Sequence, residues 1–438
     1  MQTCDTILYA DTIVTQNETR EVIRNASLAI DKGRIAAVGT RAHVTKYLKA
    51  KKEIDLGHVL LMPGLINTHT HAAMTFLRGF ADDLPLMDWL KKSCFPVEAH
   101  LTEEIVYLST LLAAAEMLRT GTTAMQDLYY FGDTVLKAAD KAGIRCTYGE
   151  TLMSGSCPGC ASAEVAFDRI RRLNEHYRDN PRLNLIVYPH ALYTSTPELL
   201  KEALAFAKET GLPMHTHLAE TTTETAISLE RFGKRPIAYM GDIGLFEHSI
   251  TLAHVVDTTD EELDCLANGK VVVAHNPSSN MKLASGVARI GDMIDRGITV
   301  SLGTDGAASN NRLNMFTEMG RAALLAKVSK GDPTVLPAQT VLDMATIGGA
   351  AGIHDETIGS LEVGKAADCI ALNLDEPNLL PLFNEPSQLV YAATGMECVM
   401  TMVEGEILYR NGAFTRFDYR ELLREVEKLR DFTFRWTA

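Results

Sequence analysis

Eight short, β-branched runs recur between residues 65 and 305, and nearly all of them end on or beside a histidine or an acid. They are Leu65–His71, Thr122–Asp127, Ile144–Gly149 with Glu150 next, Leu185–His190, Pro213–His217, Ile250–His254, Val271–His275 and Ile298–Asp305. Helical stretches lie between them. Glu103–Leu118 carries apolar residues at helical spacing and is closed by Thr120-Gly121. Thr196-Pro197-Glu198 opens another helix, an N-cap residue followed by proline at the first helical position, and it runs to Thr210-Gly211. Strand and helix in alternation predict βα units and a parallel sheet. Eight strands are the number that closes a (β/α)₈ barrel, whose strand C-termini converge on one face. The polar strand ends are therefore expected to gather in one pocket.

The two ends of the chain read differently. Leu8–Val14, Ser27–Ile30, Ile35–Val38 and Val59–Met62 look like short strands, with Asp31-Lys32-Gly33-Arg34 as a hairpin turn. Ala367–Leu372, Cys398–Val403 and Glu406–Tyr409 repeat the pattern near the other terminus. A chain of 438 residues exceeds one ordinary core. The expectation is an α/β protein with a TIM-like barrel over residues 63–359, inserted into a small β-sandwich domain built from residues 1–62 and 360–438. The net charge of −14 argues against a nucleic-acid surface, which needs clustered Lys and Arg. Residues 1–11 lack the basic start and apolar stretch of a signal peptide, and no run approaches the roughly 18 apolar residues of a membrane span. The eight cysteines are scattered, several inside apolar runs, as buried reduced thiols would be, so the cytoplasm is the expected compartment.

His69-Thr70-His71 places two imidazoles at i and i+2, on the same side of a strand, where both can reach one cation. His217 at the end of the fifth run and Asp305 at the end of the eighth complete three nitrogens and a carboxylate, a set suited to Zn²⁺ or Fe²⁺. A cation so held brings the pKa of water from about 15.7 toward ~7. Glu220, three residues past His217, is the natural proton shuttle. His215 lies deeper and reads as a packed or supporting histidine. Cys157-Pro158-Gly159-Cys160 reads as a loop turn carrying two thiols, because no second cysteine pair stands beside it. The zinc base-deaminase signature of His-x-Glu followed by Pro-Cys-x-x-Cys is absent.

Longer segments carry a resemblance. Pro63-Gly64-Leu65-Ile66-Asn67-Thr68-His69-Thr70-His71, Leu77-Arg78-Gly79 and Asp82-Asp83-Leu84-Pro85-Leu86 resemble the amidohydrolase superfamily, and within it the methylthioadenosine/S-adenosylhomocysteine deaminase branch. His215-Thr216-His217-Leu218-Ala219-Glu220-Thr221, Ala274-His275-Asn276-Pro277 through Ala284, and Gly303-Thr304-Asp305-Gly306 through Asn311 continue the match in order. The resemblance implies hydrolytic deamination at the 6-position of an adenine ring. It implies one divalent metal, zinc or iron, on His69, His71, His217 and Asp305. Glu220 would move protons between water and ring nitrogen, His254 would stabilise the attacking oxygen, and Asp305 would also accept a proton. Trp89 would pack on the nucleoside, Glu98 would hold the ribose hydroxyls and His190 would touch substrate. A homo-oligomer is implied as well.

Some positions depart from that branch: Asp257, Arg312, Asn314, Leu192 and the Met153–Cys160 loop. They bear on the substrate, leaving another heterocycle (guanine, a pterin, a triazine) as an alternative and a non-catalytic scaffold as a remote one. No cation for a homocysteine carboxylate stands out. Arg169, Arg171 and Arg172 read as the exposed basic side of a helix. His275 carries no assigned role.

Overall fold

The computed structural model describes residues 2–436. Eight parallel strands form a barrel sheet in sequential order: Leu65–Thr70, Thr122–Tyr129, Arg145–Leu152, Leu183–Pro189, Met214–Leu218, Ile250–His254, Val271–His275 and Thr299–Leu302. They coincide, within a few residues at each end, with the eight runs read from the sequence. The helix Pro197–Thr210 starts where Thr196 accepts a hydrogen bond from the Leu199 N–H and stops at Gly211, whose φ of 73° suits a residue without a Cβ.

The first and eighth strands are not joined by a regular ladder; polar contacts close the seam between them. The Asp305 N–H donates to the His69 carbonyl (2.9 Å), Thr304 N–H to Asn67 Oδ1 (3.0 Å), and Thr68 Oγ1 to the Leu302 carbonyl (2.9 Å). Gly303 makes this approach possible: a Cβ there would sit 2.4 Å from Asn276 Oδ1 and 2.7 Å from His69 Cβ.

Strands from both chain ends share a second, nine-stranded sheet. Val59–Pro63 lies between Gln2–Val14 and Cys369–Asn373, then passes directly into the first barrel strand. Two elements depart from the sequence reading. Leu48–Asp55 is a strand paired with Gln2–Val14, its exposed Lys49, Lys51 and Lys52 giving it the charged character of a guarded edge. Residues 419–435 are helical, in Tyr419–Glu427 and Leu429–Arg435, and the first of these is capped by the Asp418 side chain. The second helix lies over the segment that follows the first barrel strand. Phe432 meets Phe76 with ring centroids 6.4 Å apart, Trp436 stacks on His100 at 3.4 Å, and Thr433 Oγ1 donates to the Phe76 carbonyl.

Barrel and sheet are also tied by one buried ion pair. Arg145, at the start of the third barrel strand, reaches both Asp368 carboxylate oxygens (3.1 and 3.2 Å), and Asp368 Oδ1 accepts the Glu404 N–H as well. Among the described residues no helix is long and apolar enough to cross a membrane.

Candidate active site

At the C-terminal face of the barrel the side chains of His69, His71 and His217 converge, each with its Nδ1 turned outward. His71 Nδ1 lies 2.6 Å from the Leu128 carbonyl and His217 Nδ1 2.7 Å from the His190 carbonyl. A carbonyl only accepts, so both protons sit on Nδ1 and both Nε2 atoms carry lone pairs. His69 reaches the same state through a relay: its Nδ1–H donates to His215 Nε2 (3.0 Å), and His215 Nδ1–H donates to Gln126 Oε1 (2.9 Å). His215 is thus a supporting histidine, and Gln126 completes its orientation.

The inward atoms form a tight cluster. His71 and His217 Nε2 are 3.3 Å apart, and Asp305 Oδ1 lies 3.3 Å from His71 Nε2 and 3.5 Å from His69 Nε2. His69 Nε2 is buried and has no hydrogen-bond partner. Lone pairs this close repel one another unless a cation stands between them. A tetrahedral shell with bonds of ~2.0–2.1 Å has edges of ~3.3 Å, so the donor set and its spacing fit one divalent ion of zinc size. Burial holds His71 and His217 below the ordinary histidine range and brings His69 to about 3, keeping all three in the neutral, metal-binding form.

Asp305 is shaped for this position. Its Oδ2 accepts from Ser279 Oγ (2.6 Å) and Ser309 Oγ (2.8 Å), and its Oδ1 from the Gly306 N–H (2.7 Å). Burial alone would raise its pKa, but the neighbouring histidines hold it well below the usual carboxylate range. Its φ is 60°, and His254 (74°) and Ala219 (53°) share that left-handed conformation. Each such residue costs on the order of 1–3 kcal/mol, and here all three stand at strand ends that face the cluster.

Glu220 and His254 line the same pocket as His71, His217 and Asp305. Burial raises the Glu220 carboxyl, opposed by His254. Burial also works against charge on His254, yet Glu220 and Asp305 hold its pKa above the ordinary value, while Asn280 Oδ1 fixes its Nδ1 at 2.8 Å. The Glu220 N–H donates to Glu224 Oε2 (2.8 Å), so a second buried acid sets the loop.

Trp89, Glu98 and His190 reach this pocket too. Trp89 and Glu98 come from the short helical turns between residues 86 and 98, which contribute part of its wall. Glu98 is buried, accepts a hydrogen bond from the Tyr129 hydroxyl (2.6 Å), and is pushed by burial to about 7. His190 Nδ1 is 2.9 Å from Thr194 Oγ1, and burial keeps the ring neutral with a pKa of about 3.

Not every polar strand end arrives here. Asp127 turns to the Ala72 N–H (2.7 Å), Glu150 to Arg169 (2.5 Å) and the Gly132 N–H (2.9 Å), and His275 lies buried outside the pocket lining. Arg169 therefore departs from the exposed basic face expected of its helix: it points inward because Glu150 is fully buried and needs a counter-charge. Arg171 and Arg172 do stay at the surface, paired with Glu209 and Asp133. Cys157 and Cys160 exchange backbone hydrogen bonds across their turn, and both thiols are free. Gln126, Tyr129, Ser279, Asn280 and Ser309 carried no role in the sequence reading. Only the Ser279-Asn280 and Ser309 segments lay within recognised motifs.

Comparison with known proteins is consistent with this geometry. The chain is 56% identical over 428 residues to a 5-methylthioadenosine/S-adenosylhomocysteine deaminase of Lawsonia intracellularis, covering 98% of this chain and 97% of the relative. It is 55% identical to a protein of the same name from Desulfovibrio desulfuricans, over 99% and 98% of the two chains. An adenosine deaminase from Xanthomonas campestris, solved with bound zinc, superposes with a TM-score of 0.97 at 34% identity, covering 99% of both chains. The amidohydrolase family model matches residues 60–408, and the chain belongs to that family.

Proposed function

We propose that this protein hydrolytically deaminates adenosine-type nucleosides, S-adenosylhomocysteine and 5′-methylthioadenosine foremost, to their inosine forms plus ammonia. The observation that carries the reading is the pairing, in one pocket, of the four-donor cluster beside Glu220 with the buried Glu98–Tyr129 pair. The names of the close relatives support it.

Trp89 would lie against the nucleoside and Glu98 would accept hydrogen bonds from the ribose hydroxyls. His190 would contact the substrate from the fourth strand. A divalent cation on His69, His71, His217 and Asp305, zinc or iron, would supply Lewis-acid activation of the attacking water. Glu220 takes a proton from that water and delivers it to the ring nitrogen as the oxygen adds at the 6-position. His254, held toward its cationic form by Glu220 and Asp305, stabilises the negative charge developing on oxygen. Asp305 would accept the remaining hydroxyl proton and return it to the 6-amino group, which leaves as ammonia as the C–N bond breaks. A bare ring such as guanine or a triazine would give the Glu98–Tyr129 pair nothing to hold, so the other-heterocycle reading is the weaker one. The resemblance extends to a homo-oligomer and the eight free cysteines favour the cytoplasm, which light scattering and fractionation would check.

Ammonia release by the zinc-loaded protein across adenosines, guanine and a triazine tests the reading. Turnover of a 5′-substituted adenosine is expected, and turnover of bare rings alone would overturn it. Glu220→Gln should keep its metal and lose about 10²-fold or more in kcat. Normal turnover in that variant would remove Glu220 from the mechanism.

A further inference from the structure

We infer that the pocket selects adenosines whose 5′ substituent is an uncharged thioether and disfavours those whose tail ends in an amino acid. This rests on the deaminase reading and narrows it. Among the described residues no lysine or arginine lines the pocket, and its ionisable acids are carboxyls, Glu98, Glu220 and Asp305. The pocket wall includes Leu86, Leu90, Phe95, Tyr130 and Tyr193. A tail carboxylate held against that wall would be stripped of water with no lysine or arginine to meet it. A thioether suits the same wall, because its polarisable sulfur packs well against aromatic rings.

Two basic side chains close to the pocket wall in sequence are committed elsewhere. Arg169 follows the Cys157–Cys160 turn, but its guanidinium is bound to Glu150 (2.5 Å) and to the Gly159 carbonyl (2.7 Å). Releasing it would strand the fully buried Glu150 carboxylate. Lys282 precedes the lining residue Leu283, yet its ammonium is held by Asp82 (2.5 Å) and the Ala308 carbonyl (3.0 Å). Both cations serve the scaffold.

The test is kcat/KM of the zinc-loaded protein for 5′-methylthioadenosine and S-adenosylhomocysteine, with calorimetric binding of the two deaminated products as a readout that needs no turnover. The thioether nucleoside should be preferred by about 10-fold or more, and its product should bind tighter in the same sense. Equal kcat/KM, equal product affinity or a preference for S-adenosylhomocysteine would overturn the selectivity alone. Turnover of neither nucleoside, with a bare heterocycle consumed, would overturn the deaminase reading and the selectivity together.

Discussion

His69 can offer the Nε2 lone pair to a cation only because two other side chains keep its proton on Nδ1. Gln126 fixes His215, and His215 fixes His69, all three out of reach of solvent. Gln126→Leu should therefore weaken divalent-metal affinity by about 10–100-fold, measured by chelator competition, without touching a ligand. Unchanged affinity would show that the relay is incidental. Glu98 gives a pH-dependent counterpart. Its unfolded form releases a proton near the ordinary 4.5 and its folded form near 7, because burial penalises the charge. Between those values the folded state holds more protons, so stability contributed by the neutral acid is lost as pH rises through that window. Glu98→Gln should accordingly raise Tm more at pH 8 than at pH 5. An equal shift at both values would refute the linkage. Such residues explain what the sequence hides. His69, His71, His217 and Asp305 stand out because their chemistry contrasts with the apolar runs they end. Gln126 and Tyr129 sit within an ordinary-looking strand, and only the folded barrel shows what they touch.

At the scale of elements, the eight barrel strands were legible because each is a short β-branched run with local punctuation. The strand Leu48–Asp55 was not, since its alternation is dominated by lysines that protect a sheet edge rather than by a buried face. The helices at residues 419–435 were missed because they answer to partners far away in sequence, Tyr419–Glu427 to the helix Glu103–Arg119 and Leu429–Arg435 to the Phe76 region. The seam between first and eighth strands positions the candidate metal ligands, since it carries His69 and His71 on one side and Asp305 on the other. Gly303→Ala would drive a Cβ into Asn276 and His69. It should cost about 1–3 kcal/mol of stability and lower metal occupancy together. A variant that loses stability while holding its full metal complement would separate the seam from the cluster.

For the molecule as a whole, the barrel and the nine-stranded sheet hold each other through Arg145 and Asp368, both buried. Removing Arg145 leaves the Asp368 carboxyl buried without its counter-charge. Arg145→Met should lower stability by about 3–5 kcal/mol in denaturant titration while leaving kcat of the folded fraction within a few-fold, because neither group lines the active pocket. A large fall in kcat would instead place this tie within the catalytic unit. The same long-range wiring sets the order in which the enzyme can become competent as it is made. Trp89 and Glu98 leave the ribosome early, but the helix Leu429–Arg435, which meets Phe76 on one side of their segment while Trp436 just beyond it stacks on His100 on the other, is among the later parts to appear. A nascent chain could take up metal once Asp305 is out. The contacts of that helix with Phe76 would still wait for more than another hundred residues, so the site would be assembled well before the segment beside it is braced.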